Sequence, residues 1–229
     1  MGESAAPAGS IRLAMDVPLG SPTRPSWRGR LHLIALLVAI PLLVVLTVNA
    51  DGARARGGVI VYAVGLCSML VVSTTYHRWV HTTHRRAIWR RADHATIFAA
   101  IAGTCTPLCL ILLDTSSAVV FLVLVWTAAI VGATIKFASR GRADRIATAM
   151  YIGNGWAGIL LAPALWTRGG LVPLLLIVGG GVIYTVGAAG FSRQWPTLRP
   201  HVFSYHEVWH ASTIAAAGAH LAAVWIITT

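Results

Sequence analysis

Apolar residues along the chain fall in long unbroken runs separated by short polar connections, with little alternation and few one-faced amphipathic patterns. Seven runs stand out, over residues 31–50, 58–76, 92–113, 118–138, 146–166, 171–191 and 202–228. A helix of about 20 apolar residues crosses roughly 30 Å of hydrocarbon, so each run predicts a spanning helix. Pro41, Pro107, Pro163 and Pro173 lie inside runs, which membrane helices tolerate better than soluble ones. Gly179, Gly180, Gly181, Gly187 and Gly190 give the sixth run a small-residue face suited to close helix contact. The expected fold is all-α, a seven-transmembrane helix bundle over residues 31–229. Residues 1–30, rich in Ala, Gly, Ser and Pro, read as a disordered cytosolic tail rather than a signal peptide.

Composition agrees with the pattern. The 229 residues are 56% hydrophobic and 11% charged, with a mean hydropathy of +0.72, far from the usage of a soluble domain. The formal charge of +11 would suit nucleic acid in a soluble protein. Here the cations sit in short connections between apolar runs, so no nucleic-acid partner is expected. One side collects Arg12, Arg24, Arg28 and Arg30 of the tail, Arg78, Arg85, Arg86, Arg90 and Arg91 of the second connection, Lys136, Arg140, Arg142 and Arg145 of the fourth, and Arg193 and Arg199 of the sixth. The other side has Arg54, Arg56 and Arg168. The positive-inside rule then puts the N-terminus in the cytoplasm and the C-terminus outside, in a multi-pass plasma or inner membrane protein. Trp27, Trp79, Trp89 and Trp195 fall at the inner interface and Trp166 at the outer one. Cys67, Cys105 and Cys109 lie in apolar runs and suggest no structural disulfide.

Candidate chemistry lies where polar residues enter these runs, because ionisable groups in a membrane are costly and tend to be functional. His206 and His210 open the seventh run at i, i+4 spacing, on one helix face, where two imidazoles can hold one Zn²⁺. Ser73 and His77 end the second run at the same spacing, and Asp93 opens the third. By the direction of each helix, all five residues fall in the inner-leaflet half of the bundle. Three imidazoles with water in a fourth position is a catalytic zinc pattern. Asp93 and Ser73 could orient that water; equally, Asp93 could hold an imidazole N–H, or simply answer the helix dipole. Glu207 completes a His-Glu-x-x-His string, in which Glu can be a general base; the other reading is an interfacial Glu paired with a loop Arg. His220 lies about 15 Å along the helix from His210, too far to share an ion, and reads as a hydrogen-bonded core histidine. His81, His84 and His201 read as solvated, and Tyr151, Asn154 and Trp156 as bundle hydrogen bonding or cavity lining.

The motifs also resemble a known family. Ser73-Thr74-Thr75-Tyr76-His77, then Arg91-Ala92-Asp93-His94 running into Ile101-Ala102-Gly103-Thr104-Cys105-Thr106-Pro107, then His206-Glu207-Val208-Trp209-His210 with a trailing His220, are similar to the hemolysin III family. Its members are bacterial relatives of the progestin and adiponectin receptors, within a larger group that includes alkaline ceramidases. The resemblance covers residue 31 to the C-terminus. It implies a seven-helix bundle, a zinc near the cytosolic side held by His77, His206 and His210, and Asp93 and Ser73 at the water. Cys105 stands where the family usually has an aromatic residue.

Two functions follow. One is a zinc-dependent hydrolase acting on a lipid amide or ester at the inner leaflet, with membrane lipids as partners. The other is a non-catalytic sensor or regulator of lipid homeostasis with a structural zinc. A metalloprotease lacks a carboxylate ligand downstream of the last helix, and an ion path lacks charges in mid-membrane.

Overall fold

The computed structural model describes residues 24–138 and 144–229. Every long element is a helix. Helix α1 spans Arg30–Asn49, α2 Gly52–Arg78, α3 Thr83–Leu112, α4 Thr115–Ala138 and α5 Asp144–Trp156. Helix α6 spans Leu171–Ser192 and α7 Tyr205–Thr228. Six of these, all but α5, are long and apolar enough to cross a membrane. Large apolar side chains such as Leu37, Val48, Val64 and Leu124 lie on the outside. The bundle thus presents hydrocarbon to its surroundings, as a lipid-embedded protein must.

The fifth run is not one continuous helix. After Trp156 the chain passes through a 3-10 turn over Ala157–Leu161, one short α turn, and a π turn over Leu165–Gly169. Gly153, Gly155 and Gly158 weaken helix propensity there. Pro163 lacks an N–H and crowds the carbonyl four residues back. Hydropathy alone cannot see this break, because the side chains stay apolar throughout.

Helix α3 also departs from expectation, starting at Thr83 and not near Ala92. The intervening Arg, Ala and Ile residues are competent helix formers, and hydropathy marks where lipid begins rather than where a helix does. Asp93 therefore lies about three turns inside α3, and its role is not that of a helix-opening residue. The expected tail boundary shifts too. Residues 1–23 lie outside the described residues, but Arg24 to Gly29 form a strap packed on the bundle. Ser26 and Trp27 donate backbone N–H bonds to the carbonyls of His201 and Val202.

Glycines set the closest helix contacts. A Cβ at Gly65 of α2 would lie 2.7 Å from the Ala99 carbonyl oxygen of α3, and one at Gly58 would lie 2.8 Å from Pro107 Cα. The α2–α3 backbones therefore approach to a distance only glycine permits. That approach fixes the depth at which the end of α2 meets the middle of α3. Gly180 and Gly187 of α6 play the same part against His220 and Ser212 of α7, as expected of the small-residue face.

Candidate metal centre

Helix α7 starts at a capping box. The Ser204 hydroxyl accepts from the His206 N–H at 3.4 Å, and the Glu207 carboxylate accepts from the Ser204 N–H at 2.8 Å. The Ser204 hydroxyl donates to the same carboxylate oxygen at 2.6 Å, and Arg28 Nε binds the other oxygen. Both oxygens of buried Glu207 are thus engaged. Of the two readings of this residue, the paired interfacial Glu is the observed one, with its arginine supplied by the strap. Fixing this first turn sets the direction of the two histidines that follow.

His206 and His210 stack with ring centroids 4.7 Å apart. His77, from the last turn of α2, meets them edge-on at 4.8 and 5.0 Å. One nitrogen from each of the three rings can be chosen so that all lie within 4.8 Å of one another. His77 Nε2 and His206 Nε2 are 3.2 Å apart. All three residues are buried, and among the described residues the Nδ1 atoms of His206 and His210 have no hydrogen-bond partner. Buried imidazole nitrogens are rarely left bare. Three that converge, two of them with an orphaned second nitrogen, fit a borderline-soft divalent cation such as zinc.

Asp93 brings its Oδ2 to 3.9 Å from His77 Nε2, with the side chain 16% exposed. The buried Ser73 hydroxyl, one turn before His77, has no hydrogen-bond partner among the described residues. His77, Asp93, His206 and His210 are thus brought together, with Ser73 one helical turn from His77. His94 turns back on its own helix, its Nδ1 bonding the Arg90 carbonyl at 2.8 Å. His220 bonds the Ile177 carbonyl at 3.2 Å, which makes it a satisfied core residue. His81, His84 and His201 are exposed. Cys67, Cys105 and Cys109 are free thiols.

Sequence reasoning passed over His32. It comes from α1, is buried, and lies with its ring centroid 4.0 Å from that of His210. Its Nε2 is 3.1 Å from Thr213 Oγ1, whose proton already goes to the His210 carbonyl. The Nε2 must therefore donate, which leaves Nδ1 as a buried acceptor without a partner among the described residues. The rule that flagged the other histidines, an ionisable group inside an apolar run, points to His32 as well.

An apolar cavity of about 100 Å³ runs beside this cluster between α2, α3, the fifth segment, α6 and α7. Ile97, one turn beyond Asp93, and Trp209, next to His210, form its near end; Tyr62, Tyr184 and His220 lie farther along. No run of sequence announces it, because its wall comes from five segments.

The family model for haemolysin-III related proteins matches residues 21–221. The chain belongs to the haemolysin III family. The match begins ahead of α1, so the strap and His32 are part of the family region. Hemolysin-3 of Bacillus cereus is 30% identical over 182 residues, 78% of this chain and 80% of the relative. The Hemolysin-3 homolog of Bacillus subtilis (strain 168) is 28% identical over 191 residues, 82% of this chain and 86% of the relative. The human Monocyte to macrophage differentiation factor is 25% identical over 170 residues, 72% of this chain and 68% of the relative. This haemolysin III protein is thus a multi-pass membrane protein with a buried three-histidine group at its arginine-rich end.

Proposed function

We propose that this haemolysin III protein is a zinc-dependent hydrolase of a lipid amide or ester at the inner leaflet. The observation that carries the reading is the convergence of three buried imidazoles on one point, with Asp93 beside them and an apolar cavity one helical turn away. His77, His206 and His210 would hold the zinc. Bound there, zinc supplies Lewis acidity and acidifies a water. The chain's own groups do the rest. Asp93, close to His77, is placed to accept a proton from a water and return it to the leaving amine or alcohol. Ser73, whose buried hydroxyl has no partner among the described residues, would orient the carboxyl. The cavity takes an acyl chain and keeps bulk water from the reacting bond. Three protein nitrogens leave room for water and substrate, whereas a closed set of four would suit a structural zinc.

The test is turnover of a panel of lipid amides and esters by the purified protein, with zinc measured on the same samples. Asp93→Asn should lower turnover by about 10²–10⁴-fold while zinc content stays at wild-type level. Full activity in that variant would remove Asp93 from the chemistry. Zinc removal that unfolds the bundle, with no turnover of any panel member by the wild type, would favour the non-catalytic regulator.

A further inference from the structure

The strap, the end of α2 and the start of α3 bring four arginines together at the mouth of the metal centre. Arg24 binds the His77 carbonyl through its Nη2. Gly29 has φ 76° and packs so closely on His77 and Arg78 that any Cβ there would overlap the Arg78 Cγ. Arg86, buried in the first turns of α3, donates to the Val80 carbonyl at 3.2 Å and lies over the Tyr76 ring at 5.1 Å. Arg28 completes the group and reaches Glu207. Arg78 Nε is buried and has no hydrogen-bond partner among the described residues.

Arg24 lies beside Arg28 and Arg78, and among the described residues Glu207 is the carboxylate that reaches it. That carboxylate already binds Arg28 and Ser204. Half-buried guanidiniums held this close to one another cost free energy unless an anion joins them. Their planar forks suit the oxygens of a phosphate. Trp27 and Trp79 mark this level as the interface, where phospholipid phosphates lie.

We propose that Arg24 and Arg78, with Arg28 and Arg86 behind them, form a binding site for the phosphate of a phospholipid headgroup at the mouth of the three-histidine centre. The substrate class is then a phosphate-bearing lipid rather than a neutral one, an extension that rests on the hydrolase reading, although the binding itself does not. The phosphate stays at the strap while the acyl chain enters the cavity past Asp93.

The test measures binding rather than turnover, on full-length protein in an uncharged, phosphate-free maltoside detergent. The probes are a short-chain phosphatidate, the diacylglycerol with the same chains, and inorganic phosphate. Phosphatidate should bind saturably and at least about tenfold tighter than either of the others. Arg24→Gln with Arg78→Gln should remove that advantage in protein that still unfolds in a single cooperative transition, and Arg24→Lys with Arg78→Lys should restore part of it. Arg30→Gln with Arg85→Gln, two exposed arginines of the same end, should change nothing. Equal binding of diacylglycerol, or of inorganic phosphate, would overturn the assignment to a phospholipid headgroup. Equal losses in the Arg24/Arg78 and Arg30/Arg85 pairs would overturn it as well, since diffuse surface charge would then account for the binding. A His206→Ala plus His210→Ala protein that loses zinc but still binds phosphatidate would separate this site from the hydrolase reading.

Discussion

Helix α7 carries three histidines and treats them in two ways. His220, deep in the bundle, gives its one proton to the Ile177 carbonyl and sits against Gly180 of α6. His206 and His210, at the start of the same helix, stack on each other and leave Nδ1 atoms unbonded beside His77 and His32. Residue type and helix are shared, and His220 is the less buried of the three. What differs is whether the surrounding helices supply a hydrogen-bond partner. At His220 they do, and the imidazole closes the packing. At His206 and His210 they supply more imidazoles, and the Nδ1 atoms have no hydrogen-bond partner among the described residues.

Several substitutions would break or sharpen that contrast. The largest effect is expected from His206→Ala with His210→Ala: about one equivalent of zinc per chain should be lost in metal analysis, whereas His220→Ala should keep it. Equal zinc in both proteins would dissolve the distinction between the two ends of α7. Next comes Glu207→Gln, which leaves buried Arg28 without its counter-charge; the unfolding free energy in detergent should fall by about 3–5 kcal/mol. Zinc measured on the folded fraction should stay near one per chain, because both Glu207 oxygens are already engaged by Arg28 and Ser204. A smaller loss, about 1–3 kcal/mol, is expected for Gly65→Ala, whose methyl group would press on the Ala99 carbonyl. That variant should also weaken zinc affinity, since the α2–α3 approach sets where His77 meets Asp93. A thermal midpoint at the wild-type value would show that the two helices part without cost. The smallest change is expected for His220→Ala, about 0.5–1.5 kcal/mol from one part-buried hydrogen bond, read as a modest fall in midpoint with zinc unaltered.

How much of this could be read from the chain varies by feature. The spanning helices were legible because lipid imposes a length and a composition on each of them. The fifth segment was less so, since apolar side chains hide a backbone broken by Gly and Pro163. Ser73, His77, Asp93, His206 and His210 stood out as polar groups where hydrocarbon was due. His32 carried the same signal but was overlooked within an otherwise featureless run. Glu207 was ambiguous. Only the strap, folding back to place Arg28 on it, decides between a base and a structural partner.

From the sequence alone came a helical membrane protein with its arginines gathered at one end and His77, His206 and His210 at one depth near it. That much follows from hydropathy and charge, which act residue by residue along the chain. Which histidines keep bare nitrogens, where the apolar cavity opens, and that the segment before α1 joins the site were decided only in three dimensions. These depend on contacts between helices far apart in sequence, set by close approaches such as Gly65 on Ala99, and local pattern carries no record of them.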